Sequence, residues 1–172
     1  GAGIAARLAL AQAAFREKFD AAFLTLPVLG TLVRSYNTAR FASTLAMLAS
    51  AGVPILKALQ AAAETLSNQA MRADALDALV RVREGAPLAS ALAQKKRFPG
   101  LLAMFARLGE QTGQLPLMLQ RAAKQLSTEV QRRAMSLATM LEPLLIVAMG
   151  VVVMLIVLAV LLPIIQLNQL VK

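Results

Sequence analysis

Apolar residues recur every three or four positions across residues 34–141, and glycine interrupts the pattern at Gly52, Gly85 and Gly113. This spacing places apolar side chains on one face of an α-helix, and glycine commonly ends a helix. A proline follows two of these glycines by two residues, where a first helical turn accepts it. The pattern predicts six helices, over about residues 34–50, 54–66, 69–84, 87–93, 98–113 and 116–141.

No segment alternates apolar and polar residues between hairpin turn signals, so no β-sheet is predicted. Connections of two to six residues join helices that lie antiparallel. We therefore expect an all-α protein: an antiparallel six-helix cytoplasmic bundle over 34–141, followed by a C-terminal transmembrane helix. In the third and fifth helices the predicted inward residues include Leu76, Leu79, Val80 and Leu108. Ser67 and Asn68 are expected to separate the second and third helices and to cap the third.

The segment Pro143–Ile165 contains 23 residues without charge, hydroxyl or amide side chains. As a helix it reaches roughly 34 Å, enough to cross a hydrocarbon core of about 30 Å. A helix that is apolar on every side over this length is rarely the core of a small domain. We expect a transmembrane helix over 142–166, with Pro143 as a helix start or a break, and a short tail over 167–172.

The basic residues predict how this helix is oriented. Seventeen of the 18 Lys and Arg residues precede Pro143, and only Lys172 follows the apolar segment. Because basic loops stay on the cytoplasmic side, the bulk of the chain is predicted to be cytoplasmic and its tail periplasmic. Residues 1–33 are expected to form a helical or linker segment. Their pattern fits either an amphipathic surface helix or the cytoplasmic end of a preceding transmembrane helix.

The composition excludes several classes of chemistry. The chain has no Cys and no His, which removes disulfides, thiolate nucleophiles, Ser-His-Asp triads and HExxH zinc sites. No GxxxxGK[ST] or GxGxxG sequence is present, so a nucleotide would have to be bound by a partner. The net charge of +9 is explained by membrane orientation, and no nucleic-acid recognition motif accompanies it. No catalytic residue, cofactor or metal site is predicted, and the chain is not expected to be an enzyme.

Five charged residues on polar connections are the candidate partner-docking residues. Lys95, Lys96 and Arg97 form the densest positive run, which fits an acidic partner surface, anionic lipid or a merely solvated loop. Arg107 and Glu110 lie on and beside the polar turn that follows the fifth helix. Glu110 also has a structural interpretation, because a carboxylate accepts hydrogen bonds from the start of a neighbouring helix.

Two carboxylates lie three residues apart on the third helix. Asp74 and Asp77 have oxygen atoms of the kind that calcium or magnesium binds. Asp77 also precedes Arg81 by four residues, the spacing of an ion pair on a helix face. The solvated ion pair is the preferred interpretation.

Four short sequences occur in a characteristic order: GVPILKAL, FPGLLAMF, GEQTGQL and EPLLI. Together they resemble the F-type inner-membrane platform protein of the bacterial type II secretion system, whose superfamily includes the type IV pilus platform protein. The resemblance covers roughly residues 26–171, and the ending LNQLV is more similar to the secretion branch. Full-length members have two cytoplasmic helical domains and three transmembrane helices, so this chain resembles their C-terminal part.

The resemblance implies a role in assembly. Such a platform couples a cytoplasmic secretion ATPase to pseudopilus assembly during protein export across the outer membrane. The implied partners are that ATPase, bitopic inner-membrane components, pseudopilins, the phospholipid membrane and further copies of the platform. Two alternatives stay open: a type IV or competence pilus platform, and a membrane-anchored helical regulator that binds a small ligand.

Overall fold

The computed structural model describes residues 2–171, with side chains at positions 4, 5, 7, 8 and 11–171. These residues form seven α-helices and no strand, which confirms the predicted all-α class. The chain divides into two compact units, one up to residue 131 and one from residue 132. The helices are α1 (Ala2–Phe23), α2 (Leu29–Ser50), α3 (Ile55–Glu64), α4 (Gln69–Arg83), α5 (Leu88–Ala93), α6 (Gly100–Thr112) and α7 (Leu115–Val171).

Helices α2 to α7 correspond to the six predicted helices, but α7 is much longer than expected. It includes the predicted transmembrane segment, and both Pro143 and Pro163 lie inside it. The expected helix start or break at Pro143 is therefore wrong. A proline removes one backbone hydrogen bond, whereas leaving the helical conformation in an apolar environment would leave many backbone groups without partners.

The second unit consists of the C-terminal part of α7. Within residues 2–171, α7 is the one helix long and apolar enough to cross a membrane, with a mean hydropathy of 3.3 over its most apolar window. None of that window is buried against protein. The segment predicted to cross the membrane is therefore helical in the structure, and α7 has the length and apolar composition that a transmembrane helix needs.

The core of the first unit is built from a few large side chains and many alanines. Helix α1 packs on α4, and α2 to α6 pack consecutively along the chain. The rings of Phe41 and Phe98 lie 5.3 Å apart between their centroids. Alanine faces let the helix backbones approach closely, because little side chain separates them. The largest fully buried apolar side chains are those of Phe41, Leu45, Leu59, Leu66, Met71, Leu92, Leu102, Leu119 and Leu126.

Three residues of α4 and α6 that were predicted to lie inside the bundle are exposed. Leu76 and Val80 are 40% and 45% exposed on α4, and Leu108 is 45% exposed on α6. The predicted inward face was wrong at these positions because size was used to choose it. The buried faces of α4 and α6 contain only three large side chains, those of Met71, Leu79 and Leu102. The other buried residues of these two helices are small: Ala70, Ala75, Ala78, Ala103, Ala106 and Gly109.

The three interrupting glycines end helices as predicted. Gly52, Gly85 and Gly113 have φ values of +84°, +102° and +70°, a region that residues with a Cβ atom rarely adopt. After each of them, the next amide donates to a carbonyl five residues earlier, at 3.0 Å in every case. This is the bond that closes a Schellman ending, and it satisfies a carbonyl that the helix leaves free.

A buried asparagine joins α2 to the start of α4. The Nδ2 of Asn37 donates to the carbonyl of Val33 at 2.9 Å, and its Oδ1 accepts from the amide and hydroxyl of Ser67 at 3.0 and 2.9 Å. Asn68 caps α4 as predicted, because its Oδ1 accepts from the amide of Met71 at 3.0 Å.

Helix α1 is held to the same corner by Asp20. Its Oδ2 accepts from the amide of Gln69 at 2.9 Å, and its carbonyl accepts from the Nδ2 of Asn68 at 3.3 Å. A carboxylate beside free amides at a helix start is stabilising. The helical part of the predicted N-terminal segment is therefore attached to the bundle at the start of α4.

We expect Thr38→Val to raise the free energy of unfolding by about 1 kcal/mol. The Thr38 hydroxyl is fully buried and has no hydrogen-bond partner within residues 2–171. A methyl group of the same shape removes the cost of leaving that hydroxyl unpaired. Thermal denaturation followed by circular dichroism measures the change, with Thr44→Val at a half-buried position as the control. A loss of stability would show that the hydroxyl has a partner.

Candidate docking site

The basic run lies in the connection between α5 and α6, and two of its three cations face α4. The Nη1 of Arg97 donates to both carboxylate oxygens of Asp74, at 2.9 and 3.0 Å. The Asp74 side chain is only 14% exposed, so this contact attaches the connection to the bundle. Arg97 therefore has a role in fixing the position of the run.

Lys95 forms the second contact of the run with α4. Its Nζ pairs with the Oδ2 of Asp77, and the Nε of Arg81 approaches the same oxygen at 3.4 Å. The Asp77–Arg81 pair confirms the preferred interpretation of that carboxylate. The hydrogen bond from Lys95, followed by the charges of Lys95 and Arg81, lowers the pKa of Asp77 below its ordinary value of 3.8. The pairs therefore contribute to stability above that value and lose this contribution as the pH falls through the lowered pKa.

The structure does not group these carboxylates into a metal centre. Asp74 and Asp77 each contact basic side chains instead. The described part of the chain contains no cluster of three or more Asp and Glu residues suited to a metal ion.

A groove of about 430 Å³ brings three of the five candidate residues together. Lys95, Lys96 and Arg107 line it, and Phe98 and the exposed Met104 contribute apolar surface. We call this the basic groove. Within residues 2–171 no acidic side chain lines the groove, and no ion pair is recorded for Lys96 or Arg107. The groove thus combines two available cations with an apolar surface.

Lys96 belongs to a second concave surface as well. It lines a cavity of about 490 Å³ together with Arg97, Arg34, the end of α1 at residues 21 and 22, and residues 24–27 of the connection that follows α1. In the part of the chain that the structure describes, both surfaces carry positive charge and neither has an acidic lining residue. Lys96 therefore lies on the border between two basic depressions, which makes it the most central cation of the candidate set.

Glu110 has a structural role and does not line the basic groove. Its Oε1 accepts hydrogen bonds from the amides of Leu88 and Ala89, at 2.6 and 3.3 Å. These are the first two amides of α5, which have no partner inside that short helix. The structural interpretation of Glu110, as the acceptor for a neighbouring helix start, is confirmed.

The glycines around Glu110 are explained by the same corner. A Cβ atom on Gly109 would lie 2.6 Å from the Cα of Leu115, so α6 and the start of α7 could not approach as they do. Gly113 supplies the left-handed residue that turns the chain from α6 to α7. The sequence GEQTG therefore encodes a tight corner together with the cap of α5.

Sequence reasoning missed the apolar part of the basic groove. Phe98 and Met104 belong to the FPGLLAMF sequence, which carries part of the family resemblance but does not by itself predict an exposed surface. Met104 is 56% exposed, although a methionine six residues after a buried phenylalanine gives no direct signal of exposure. Only the three-dimensional position beside Lys96 and Arg107 reveals it.

Comparison with known proteins identifies the family of this arrangement. The family model described as "Type II secretion system (T2SS), protein F" matches residues 41–163, which is more than half of the chain. The chain belongs to the type II secretion system protein F family. The match includes the C-terminal part of α2 from Phe41, the whole of α3 to α6, and α7 as far as Pro163.

The curated relatives include secretion and pilus proteins. The chain is 43% identical to the type II secretion system protein F of Pseudomonas aeruginosa, covering 99% of this chain and 42% of that protein. It is 41% identical to the protein of the same name from Aeromonas hydrophila, covering 91% and 40%. It is 39% identical to the type IV pilus assembly protein PilC of Myxococcus xanthus, covering 80% and 33%. The chain thus spans about two fifths of the length of its secretion relatives.

Proposed function

We propose that this chain is part of an inner-membrane platform of the type II secretion system, which couples a cytoplasmic assembly ATPase to pseudopilus assembly. The observation that carries the proposal is the basic groove of a protein F family member. In this groove Lys96 and Arg107, which form no ion pair with the described residues 2–171, lie beside the apolar Met104 and make a docking surface of a kind suited to an acidic partner. Membership of the family and the apolar helix α7 support the membrane location.

The proposed division of labour follows from what the sequence contains. No nucleotide-binding motif is present, so the energy for assembly comes from the ATPase and reaches the platform through contacts. Complementary charge across such a contact accelerates association and sets its dependence on salt. The platform contributes a helical body that receives the partner and a membrane helix that anchors the body.

We expect the double variant Lys96→Glu/Arg107→Glu in the full-length protein to reduce ATPase co-purification about tenfold, because both cations would repel an acidic partner. The melting temperature should change little, since neither side chain forms an ion pair with the described residues and surface changes usually shift stability by less than about 0.5 kcal/mol. Secretion and co-purification at low and moderate salt are the measurements.

The matched control is Lys57→Glu/Arg83→Glu, which changes the net charge equally at exposed positions outside the basic groove. Normal co-purification of the groove variant, or an equal loss in the control, would contradict the docking role. The docking role predicted for Lys95, Arg97 and Glu110 needs conservative variants, because each also has a partner within the first unit.

The secretion branch is preferred over the pilus branch. The ending LNQLV resembles secretion members, and the secretion relatives given above are somewhat more similar than the pilus relative. The ATPase that co-purifies distinguishes the two branches. A pilus-assembly ATPase retained in place of a secretion ATPase would assign the chain to the pilus machinery.

We also propose that the first unit is cytoplasmic and that the C-terminus is periplasmic. The native chain has no Cys, so Arg133→Cys and Gln169→Cys each give a single thiol. In intact cells with a permeabilised outer membrane, an impermeant maleimide should label position 169 and spare position 133, because the basic residues hold the preceding segment inside. Labelling of position 133 without position 169 would reverse the proposed orientation.

A further inference from the structure

A second groove lies between α2 and the N-terminal part of α7, within the first unit. Its volume is about 600 Å³. Arg40 and Lys124 line it, and the family membership assigns no role to either. We call this the α2–α7 groove. It has no lining residue in common with the basic groove.

The walls of the α2–α7 groove are small and polar. Ala39 and Ser43 lie four residues apart on α2, and Ala123 and Ser127 lie four residues apart on α7. Residues at this spacing share one face of a helix. Small side chains on both walls leave a slot whose bottom is close to two helix backbones, a shape that a third helix fills well.

The charge in the α2–α7 groove is of one sign. Arg40 and Lys124 line it without any acidic lining residue, and neither has an ion pair recorded within residues 2–171. The guanidinium of Arg40 lies over the ring of Tyr36, with its Cζ 5.8 Å from the ring centroid. A second copy meeting this surface symmetrically would bring like charges together, so charge complementarity points to an acidic partner.

Hydroxyl and amide groups in the groove are also available for a partner. Six threonines elsewhere in the first and second units donate to a carbonyl three or four residues earlier: Thr25, Thr31, Thr65, Thr112, Thr128 and Thr139. No such bond is recorded for Thr44, and none for the side chains of Ser43, Gln120 or Ser127 within residues 2–171. These groups can therefore bind carboxylates that enter the groove.

We infer that the α2–α7 groove binds an acidic α-helix of a partner protein. A helix fits because the walls are small and concave, and carboxylates fit because Arg40, Lys124 and the free hydroxyls line them. A membrane surface fits less well, since membrane-binding faces present projecting Trp, Phe and Leu side chains. The inference is independent of the ATPase docking proposed for the basic groove, because the two surfaces have no residue in common.

The test uses the full-length protein in detergent and a fluorescent, hydrocarbon-stapled helix with glutamate at every fourth position. Fluorescence anisotropy measures its binding, and the same helix with glutamine measures the contribution of charge. We expect the glutamine helix to bind about tenfold more weakly or worse. Ser43→Leu and Ser127→Leu fill the groove without changing its charge, and each should weaken binding of the glutamate helix by about the same factor.

Two controls separate this site from general attraction to a basic protein. Arg40→Glu reverses a charge inside the α2–α7 groove and should weaken binding of the glutamate helix, whereas Arg83→Glu makes the same change of charge outside the groove and should leave binding unchanged. Lys96→Glu/Arg107→Glu alters the basic groove and the cavity that shares Lys96 with it, but not the α2–α7 groove, and should also leave binding unchanged. Normal binding by the groove-filling leucine variants, with folding confirmed by circular dichroism, would overturn the inference. Loss of binding in Lys96→Glu/Arg107→Glu alone would also overturn the inference.

A photoreactive amino acid at Gln120 of the full-length protein tests the site in cells. The expected adduct joins a partner protein at a helical segment rich in Asp and Glu, and Arg40→Glu/Lys124→Glu should abolish it. An adduct with lipid, or only with a second copy of this chain, would overturn the choice of occupant. Secretion ATPase binding through the basic groove would stand in either case, because it is measured by a different variant.

Discussion

Gly109→Ala will lower the free energy of unfolding by about 3 kcal/mol, since it forces a backbone shift in a packed core. A Cβ atom at position 109 would lie 2.6 Å from the Cα of Leu115 and 3.2 Å from its Cδ1. The nearer atom belongs to the backbone, so a change of rotamer cannot relieve the clash. Helices α6 and α7 would have to separate at the corner where Glu110 caps α5.

Gly100→Ala is the matched control for this prediction. Gly100 also lies in α6, but a Cβ atom there would meet nothing within 4 Å. Alanine at such a site is expected to be neutral or to stabilise by up to about 1 kcal/mol, because it restricts the unfolded chain. Thermal denaturation of both variants in detergent, followed by far-UV circular dichroism, makes the comparison. Equal melting temperatures would show that the corner does not need glycine.

The helices could be predicted because their signals are local. Glycines at positions 52, 85 and 113 end helices through their own backbone conformation, and Asn68 caps α4 through a bond three residues away. Such features depend on neighbours in the sequence, so a pattern of residues is sufficient to find them. The same holds for the apolar segment of α7, whose length alone meets the span requirement.

The inward faces of α4 and α6 could not be predicted in the same way. Leu76 and Val80 were expected inside because of their size, but α4 packs through Ala75 and Ala78. Alanine is compatible with either face of a helix, and its burial depends on how close the next helix approaches. That distance is set by tertiary packing, as the requirement for Gly109 shows.

The candidate docking site was predicted only as a set of charges. Sequence adjacency made Lys95, Lys96 and Arg97 one basic run, whereas the structure gives them different surroundings. Arg97 and Lys95 contact carboxylates of α4, which are about 20 residues away in the sequence. Lys96 and the distant Arg107 meet at one groove. Long-range partners decide which charges are available, and no local pattern encodes them.

Two adjacent charge reversals will therefore have different consequences. Arg97→Glu should lower the free energy of unfolding by about 2 kcal/mol, because it leaves the mostly buried carboxylate of Asp74 facing a second negative charge. Partial exposure of the Arg97 side chain keeps the expected loss below that of a fully buried pair. Lys96→Glu makes the same change of charge one residue away and should alter stability by less than about 0.5 kcal/mol.

The exchange Asp74→Arg/Arg97→Asp distinguishes a specific pair from a general effect of charge. It restores opposite charges at the two positions, so it should recover part of the stability that Arg97→Glu loses. A double-mutant cycle measures the interaction energy of the pair. ATPase co-purification should follow the opposite order, with Lys96→Glu weakening it while the domain stays folded. If Arg97→Glu and Lys96→Glu denature at the same temperature, the Arg97–Asp74 contact does not hold the basic run in place. In that case the run would act as a single exposed charge cluster, and the three cations would be equivalent candidates for docking.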